Sequence, residues 1–271
     1  MASKGIYANK DGAWRNIKTL YVNVGGAWFK AYEGWNSATG GTVTDVDDYN
    51  GSGQKWRVHT FTVSGTFTVQ TADKPFRVLV VAGGGGSGAY AQSYYGGGGG
   101  AGGMLSNDAA ALNVGAYAVT VGAGGKGGLT DARNGYDSSL ADVLATTGGG
   151  RGGITHSRAG ASGGSGGGGS YGANGGGNGA NGIAGQGHNG GKFSGPVYDS
   201  GGGGGAGADA NRKSGGAGRD SDITGAVVKY AAGGCGSGGS PGSGHGSPGS
   251  GANYGAHSGN AGTVIVAYQI G

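Results

Sequence analysis

Cysteine is almost absent from this chain of 271 residues. Its single thiol, Cys235, excludes any intrachain disulfide. Proline occurs four times, too rarely for a collagen-like chain. The strict Gly-X-Y period fails too: in 242–262 the glycines stand at 242, 244, 246, 249, 251, 255, 259 and 262. Charged residues are only 12%, whereas disordered segments usually carry high charge and few aromatics. No apolar run approaches the roughly 20 residues of a membrane-spanning helix, which argues against membrane insertion. The start, Met1-Ala-Ser-Lys-Gly-Ile-Tyr7, lacks an apolar signal core, so synthesis in the cytoplasm without a signal peptide is expected.

Basic clustering is missing as well. Residues 1–82 hold nine basic and six acidic side chains (+3), and the remainder nine and eight (+1), for a net charge of +4. Phosphate binding needs clustered Lys and Arg. The only Arg-Gly-Gly is Arg151-Gly-Gly153, so no nucleic-acid partner is expected. Gly83–Gly88 matches G-x-G-x-x-G, but the helix that must follow is missing and glycine this abundant produces the match by chance. Gly191-Lys192 is followed by Phe193, which breaks a phosphate-binding loop. Asp45-Val-Asp-Asp-Tyr-Asn-Gly51 has neither an acid at the fifth position nor a glutamate at the twelfth, as a calcium loop requires. The histidines at 59, 156, 188, 245 and 257 show no metal-ligand spacing. Neither an enzyme nor a cofactor is expected.

Glycine is what the chain has. Sixty-six of the last 189 residues are glycine, and such a tract cannot build an ordinary side-chain core. Yet strand patterns bracket it: Phe76-Arg-Val-Leu-Val-Val-Ala82 leads in and Gly262-Thr-Val-Ile-Val-Ala-Tyr268 closes it. His59–Val69 alternates around Gly65, which predicts a hairpin or bent strand with Phe61, Val63, Phe67 and Val69 on its inner face. Ala116–Val121 reads as a further strand and Val227–Ala231 as a weaker one. The tract is then a set of excursions from a sheet, over 83–103, 122–128, 147–191, 200–218 and 232–262. With glycine at every second or third position, these fit polyglycine II helices that approach closely and satisfy one another's backbone groups.

Residues 6–32 hold an internal repeat. Tyr7-Ala-Asn9 and Gly12-Ala-Trp14 recur as Tyr21-Val-Asn23 and Gly26-Ala-Trp28. Each copy reads as a hairpin turning at Asp11-Gly12 or Gly25-Gly26. Such short hairpins cannot bury their own tryptophans, which makes Tyr7, Trp14, Tyr21, Trp28 and Trp35 candidates for assembly. A small subdomain packed in cis is the alternative. The expected organisation is a hairpin repeat over 1–34, a linker over 35–56 and a glycine-rich β domain over 57–271. The fold class is all-β with polyglycine II helices: the hairpin repeat, then a small antiparallel module carrying a glycine sandwich.

Larger residues interrupt the tract. Tyr90, Tyr94, Tyr95, His156, Tyr171, His188, Tyr198, His245, Tyr254 and His257 are the candidates for loop tips that face a receptor; Arg158, Phe193, Arg212 and Lys213 also interrupt it. Tyrosine among Ser, Gly and Asn is the chemistry of adaptable recognition loops. The alternative is that these residues cap or staple the sandwich.

The order Phe61–Val69, Phe76–Ala82, poly-Gly, Asn113–Gly125, Gly225–Gly234 and Gly262–Tyr268 resembles the glycine-rich domain of bacteriophage minor tail proteins. The Tyr-x-Asn…Gly-Ala-Trp repeat is similar to short repeats of tail-tip and fibre proteins. The resemblance implies a virion structural protein of the distal tail, made in the host cytoplasm and assembled with other tail proteins. It implies a homotrimer and adhesin-like loops that bind a bacterial surface receptor such as a glycan. A purely structural spacer and a non-phage polyglycine-II protein such as an ice-binding protein are the alternatives.

Overall fold

In the computed structural model the described residues are 7–10, 13–17, 19–89, 95–154, 159–172, 175–193, 199–244, 249–253 and 255–270. They are all-β, with one short 3-10 turn at Tyr49–Gly51. The strands are β1 (Tyr7–Lys10), β2 (Ala13–Asn16), β3 (Thr19–Val24), β4 (Ala27–Glu33), β5 (Ser37–Thr39), β6 (Thr42–Val46), β7 (Trp56–Phe61), β8 (Gly65–Thr71) and β9 (Phe76–Val81). They continue as β10 (Met104–Ala110), β11 (Gly115–Thr120), β12 (Ser138–Leu140), β13 (Leu144–Thr146), β14 (Tyr171–Gly172), β15 (Gly175–Gly176), β16 (Arg219–Ser221), β17 (Val228–Tyr230) and β18 (Thr263–Gln269).

Two five-stranded antiparallel sheets form the centre. One has the order β10-β9-β18-β7-β6 and the other β13-β12-β11-β8-β5. Between them lies a side-chain core that includes Phe61, Phe67, Val69, Phe76, Val78, Val80, Val119, Leu140, Val264, Val266 and Tyr268. The opposite face of the first sheet is buried too. There Val58, Leu79, Val81, Ile265 and Ala267 meet Ala101, Met104, Ala206, Tyr230 and Ala231. Burial on both faces explains why β9 and β18 read as continuous apolar runs rather than alternating ones.

Three details differ from the sequence reading. Residues 35–56, read as a linker, supply β5 and β6, an edge strand for each sheet; their Thr, Ser and Asp content suits solvent-facing edges. β7 and β8 do not pair as a hairpin but belong to opposite sheets, which leaves the bent-strand alternative with residues 62–64 as the corner. Val63 sits on that corner and is 73% exposed instead of joining the inner face. Tyr268 ties the two sheets together. Its hydroxyl accepts from the Ala38 amide (2.9 Å) and lies 3.1 Å from His59 Nε2, while His59 Nδ1 lies 2.7 Å from the Gly40 carbonyl.

The glycine segments grow out of the first sheet. β9 runs directly into 83–88, 96–103 leads into β10, and 257–262 leads into β18. Past the sheet the segments bond to one another through their backbones with a three-residue spacing. Gly97, Gly100 and Gly103 donate to Gly153, Gly150 and Thr147 (3.1, 2.8 and 2.8 Å). Gly98 and Ala101 donate to Gly201 and Gly204 (both 2.9 Å), and Gly99 and Gly102 to Ala252 and Gly249 (both 2.8 Å). The carbonyls of the same stretch accept from three further segments: Gly88 and Gly85 (3.0 and 2.8 Å), Gly168 and Ser165 (both 2.9 Å), and Gly234 (3.0 Å). Residues 97–103 are thus enclosed by neighbours that take each N–H in turn, which satisfies buried amides without a conventional ladder.

The close approach requires glycine. A Cβ on Gly99 would collide with the Gly85 carbonyl oxygen and lie 3.0 Å from the Ala252 nitrogen. On the outside of the bundle, side chains replace the missing neighbours. The Gly148 and Arg151 amides donate to Asp137 Oδ1 and Asn134 Oδ1 (2.8 and 2.9 Å), again three residues apart.

The N-terminal strands pair as β1 with β2 and β3 with β4. In both ladders an asparagine faces a tryptophan, Asn9 opposite Trp14 and Asn23 opposite Trp28. Gly25 and Gly26 turn the second hairpin with φ of 62° and 90°, where residues with a Cβ are strained.

Candidate functional site

The hydrogen-bond pairing also says which way each segment points. Ala82 bonds to Gly103 beside the sheet, and Gly88 bonds to Gly97 at the far end. Tyr95 stands two residues before Gly97 and so lies at that far end. The stretch 165–168 runs alongside: Ser165 bonds to Ala101 near the sheet and Gly168 to Gly98 away from it. Tyr171 therefore emerges at the same end. Phe193 joins them, following Gly191, whose carbonyl accepts from Gly169 (3.0 Å).

Three aromatic residues from three different glycine segments meet there. The Tyr95 and Tyr171 backbones exchange both hydrogen bonds, N–H to O, at 3.1 and 2.9 Å. Their ring centroids are 6.4 Å apart, and those of Tyr171 and Phe193 are 5.0 Å apart. All three side chains are half-buried. Gly176 lies beneath the Phe193 ring, which occupies the space a Cβ would need. Ser200 fixes the layer underneath. Its buried hydroxyl donates to the Gly96 carbonyl (2.7 Å) and accepts from the Ser237 amide (2.7 Å). Charge sits at the same corner. Lys192 is exposed beside Phe193. Gly202 bridges from Gly191 (2.7 Å) to Arg212 (2.9 Å), and Lys213 Nζ lies 3.6 Å from Asp199 Oδ1.

The other sequence candidates fall elsewhere. His257 is exposed on the turn after residue 252, next to the same far end. Its amide donates to Ser87 Oγ (3.0 Å) and its carbonyl accepts from the Ser87 amide (3.1 Å). It lines a depression of about 270 Å³ with Ala252, Asn253, Ser258 and Asn260, and among the described residues no aromatic ring contacts it. His188 stands apart from the aromatic group. Its carbonyl accepts from Gly166, one residue from Ser165 on the sheet side, and its Nδ1 lies 3.5 Å from Asp209 Oδ1. Tyr90, Tyr94, His156, Tyr198, His245 and Tyr254 lie outside the described residues.

For the assembly candidates, the backbones of Tyr7 and Trp14 are paired in the first hairpin. Tyr21 is 51% and Trp28 70% exposed on the second. Trp35 instead packs within the chain, with Lys74 Nζ 3.7 Å from its ring centroid and its carbonyl accepting from Thr71 Oγ1 (2.8 Å). Among the described residues no three His, Cys, Asp or Glu side chains gather as a metal site, and no helix is long and apolar enough to cross a membrane.

Phe193, Lys192, Arg212 and Lys213 are members of the corner that sequence reasoning left outside its candidate set. Phe193 carried a signal, as a bulky residue interrupting glycine, but its meeting with Tyr171 depends on the bundle.

The described residues thus form an all-β sandwich whose glycine segments extend one sheet into a backbone-bonded bundle. A family profile described as a glycine-rich domain matches residues 60–269, and the chain belongs to that family. No curated protein matches it.

Proposed function

We propose that the protein is a component of a bacteriophage distal tail and that its glycine bundle presents a receptor-binding face to the host cell. The single observation that carries the reading is the grouping of Tyr95, Tyr171 and Phe193, from three separate glycine segments, at the end of the bundle away from the sandwich. A core packed for stability alone would bury such rings against the sheets. Placed on a rigid platform, half-buried aromatics offer contact area at low entropy cost. On this reading the segments are polyglycine II helices, since the three-residue hydrogen-bond spacing fits about 3 residues per turn. The hairpins form the attachment and trimerisation element, supported by the exposure of Tyr21 and Trp28.

The test is binding of the labelled, assembled protein to a panel of bacterial strains, beside Tyr171→Ser and Phe193→Ser. Strain-selective binding that drops at least tenfold in both folded variants is expected. Absence of binding by a folded, assembled protein would turn the assignment to a structural spacer.

A further inference from the structure

The corner beside the aromatic group is basic, and this narrows the chemistry of what it takes. Three bases, Lys192, Arg212 and Lys213, are carried there by adjoining backbone segments, linked through Gly191, Gly202 and Arg212. Lys213 pairs with a carboxylate, its Nζ lying 3.6 Å from Asp199 Oδ1. Lys192 is exposed, immediately precedes Phe193, and has no carboxylate partner among the described residues. We propose that this corner binds an anionic saccharide of the bacterial surface. The apolar face of a sugar ring lies on Tyr171 and Phe193, and its negative group meets the Lys192 ammonium. The inference rests on the adhesin reading and adds the ligand's charge. A neutral sugar needs only the rings. An exposed ammonium one residue before Phe193, with no carboxylate partner among the described residues, favours an anion and disfavours a cationic partner.

A carboxylate and a phosphate supply the same charge, and the experiment separates them. The probe is surface polysaccharide extracted from a strain that the protein binds. It is compared untreated, after reduction of its carboxylates to alcohols, and after removal of its phosphates. The expected result is binding to the untreated polymer that falls at least tenfold after one of the two treatments. It should fall by a similar factor in Lys192→Gln at unchanged melting temperature, be restored in Lys192→Arg, and weaken as salt is raised from 50 to 500 mM. Phe193→Ala should lower binding without changing the salt dependence. Equal binding to the untreated and both treated polymers, or a Lys192→Gln protein that binds like the parent, overturns the proposal. So does a polymer that fails to bind while the cells do, and in that case the adhesin reading survives. Failure to bind any cells removes the adhesin reading itself.

Discussion

Two glycines show how differently one residue type is used here. Gly51 turns the chain at φ 74° with open space around it. Its replacement by alanine should cost about 1 kcal/mol, the strain of a left-handed backbone. Gly99 is hemmed in by the backbones of Gly85 and Ala252. Gly99→Ala should cost about 3 kcal/mol or prevent folding, because backbone cannot move aside as a flexible side chain can. Denaturant midpoints of the two variants check this, and equal midpoints would contradict it. Gly176, which glycine content alone marks as part of the packed bundle, faces the Phe193 ring instead; enlarging it should disturb the aromatic group. His59 sets a pH dependence. Burial is the main cause that holds its imidazole below the ordinary value of 6.5, with the Gly40 carbonyl opposing. The unfolded chain therefore binds the proton first as pH falls. The stability from neutral His59 is complete above about pH 6.5 and is lost as pH drops toward its folded pKa. Unfolding between pH 8 and 5 should show this slope, and His59→Gln should flatten it. Asp45 and Asp222, held low by hydrogen bonds from Arg57 and Arg77, act only at more acidic pH.

At the scale of elements, β18 is the piece on which the rest depends. It lies between β9 and β7 and is buried along six of its seven residues. Tyr268→Phe should cost about 2 kcal/mol, because it strands the Ala38 amide and removes the link between the sheets. Differential scanning of the variant checks that figure. β9 and β18 were legible in the sequence because burial on both faces writes an unbroken apolar run. β10, β12 and β13 were not. Met-Leu-Ser-Asn-Asp-Ala-Ala is an edge strand with four exposed residues in a row, held by backbone pairing that leaves no pattern in side chains. The same reason hid β5 and β6 inside an apparent linker. In the candidate site, Tyr95 and Tyr171 were legible as bulky residues in a glycine tract. Their meeting with Phe193 was not, because it depends on how excursions of unequal length fold back.

For the whole molecule, two kinds of core are joined end to end. The sandwich is stabilised by apolar burial. The bundle has little to bury and is held by backbone hydrogen bonds whose loss would leave buried amides unsatisfied. A chain ending at residue 262 should fail to fold, since it loses the central strand and the anchor for 257–262. Absence of a cooperative transition in that variant checks the coupling. The measurement that tests the account most directly is amide hydrogen exchange along 97–103, a stretch that belongs to no strand of either sheet. The account predicts protection equal to that of β9 and β18, with exchange only through global unfolding. Exchange of those amides within seconds, while the strands stay protected, would contradict a backbone-bonded bundle.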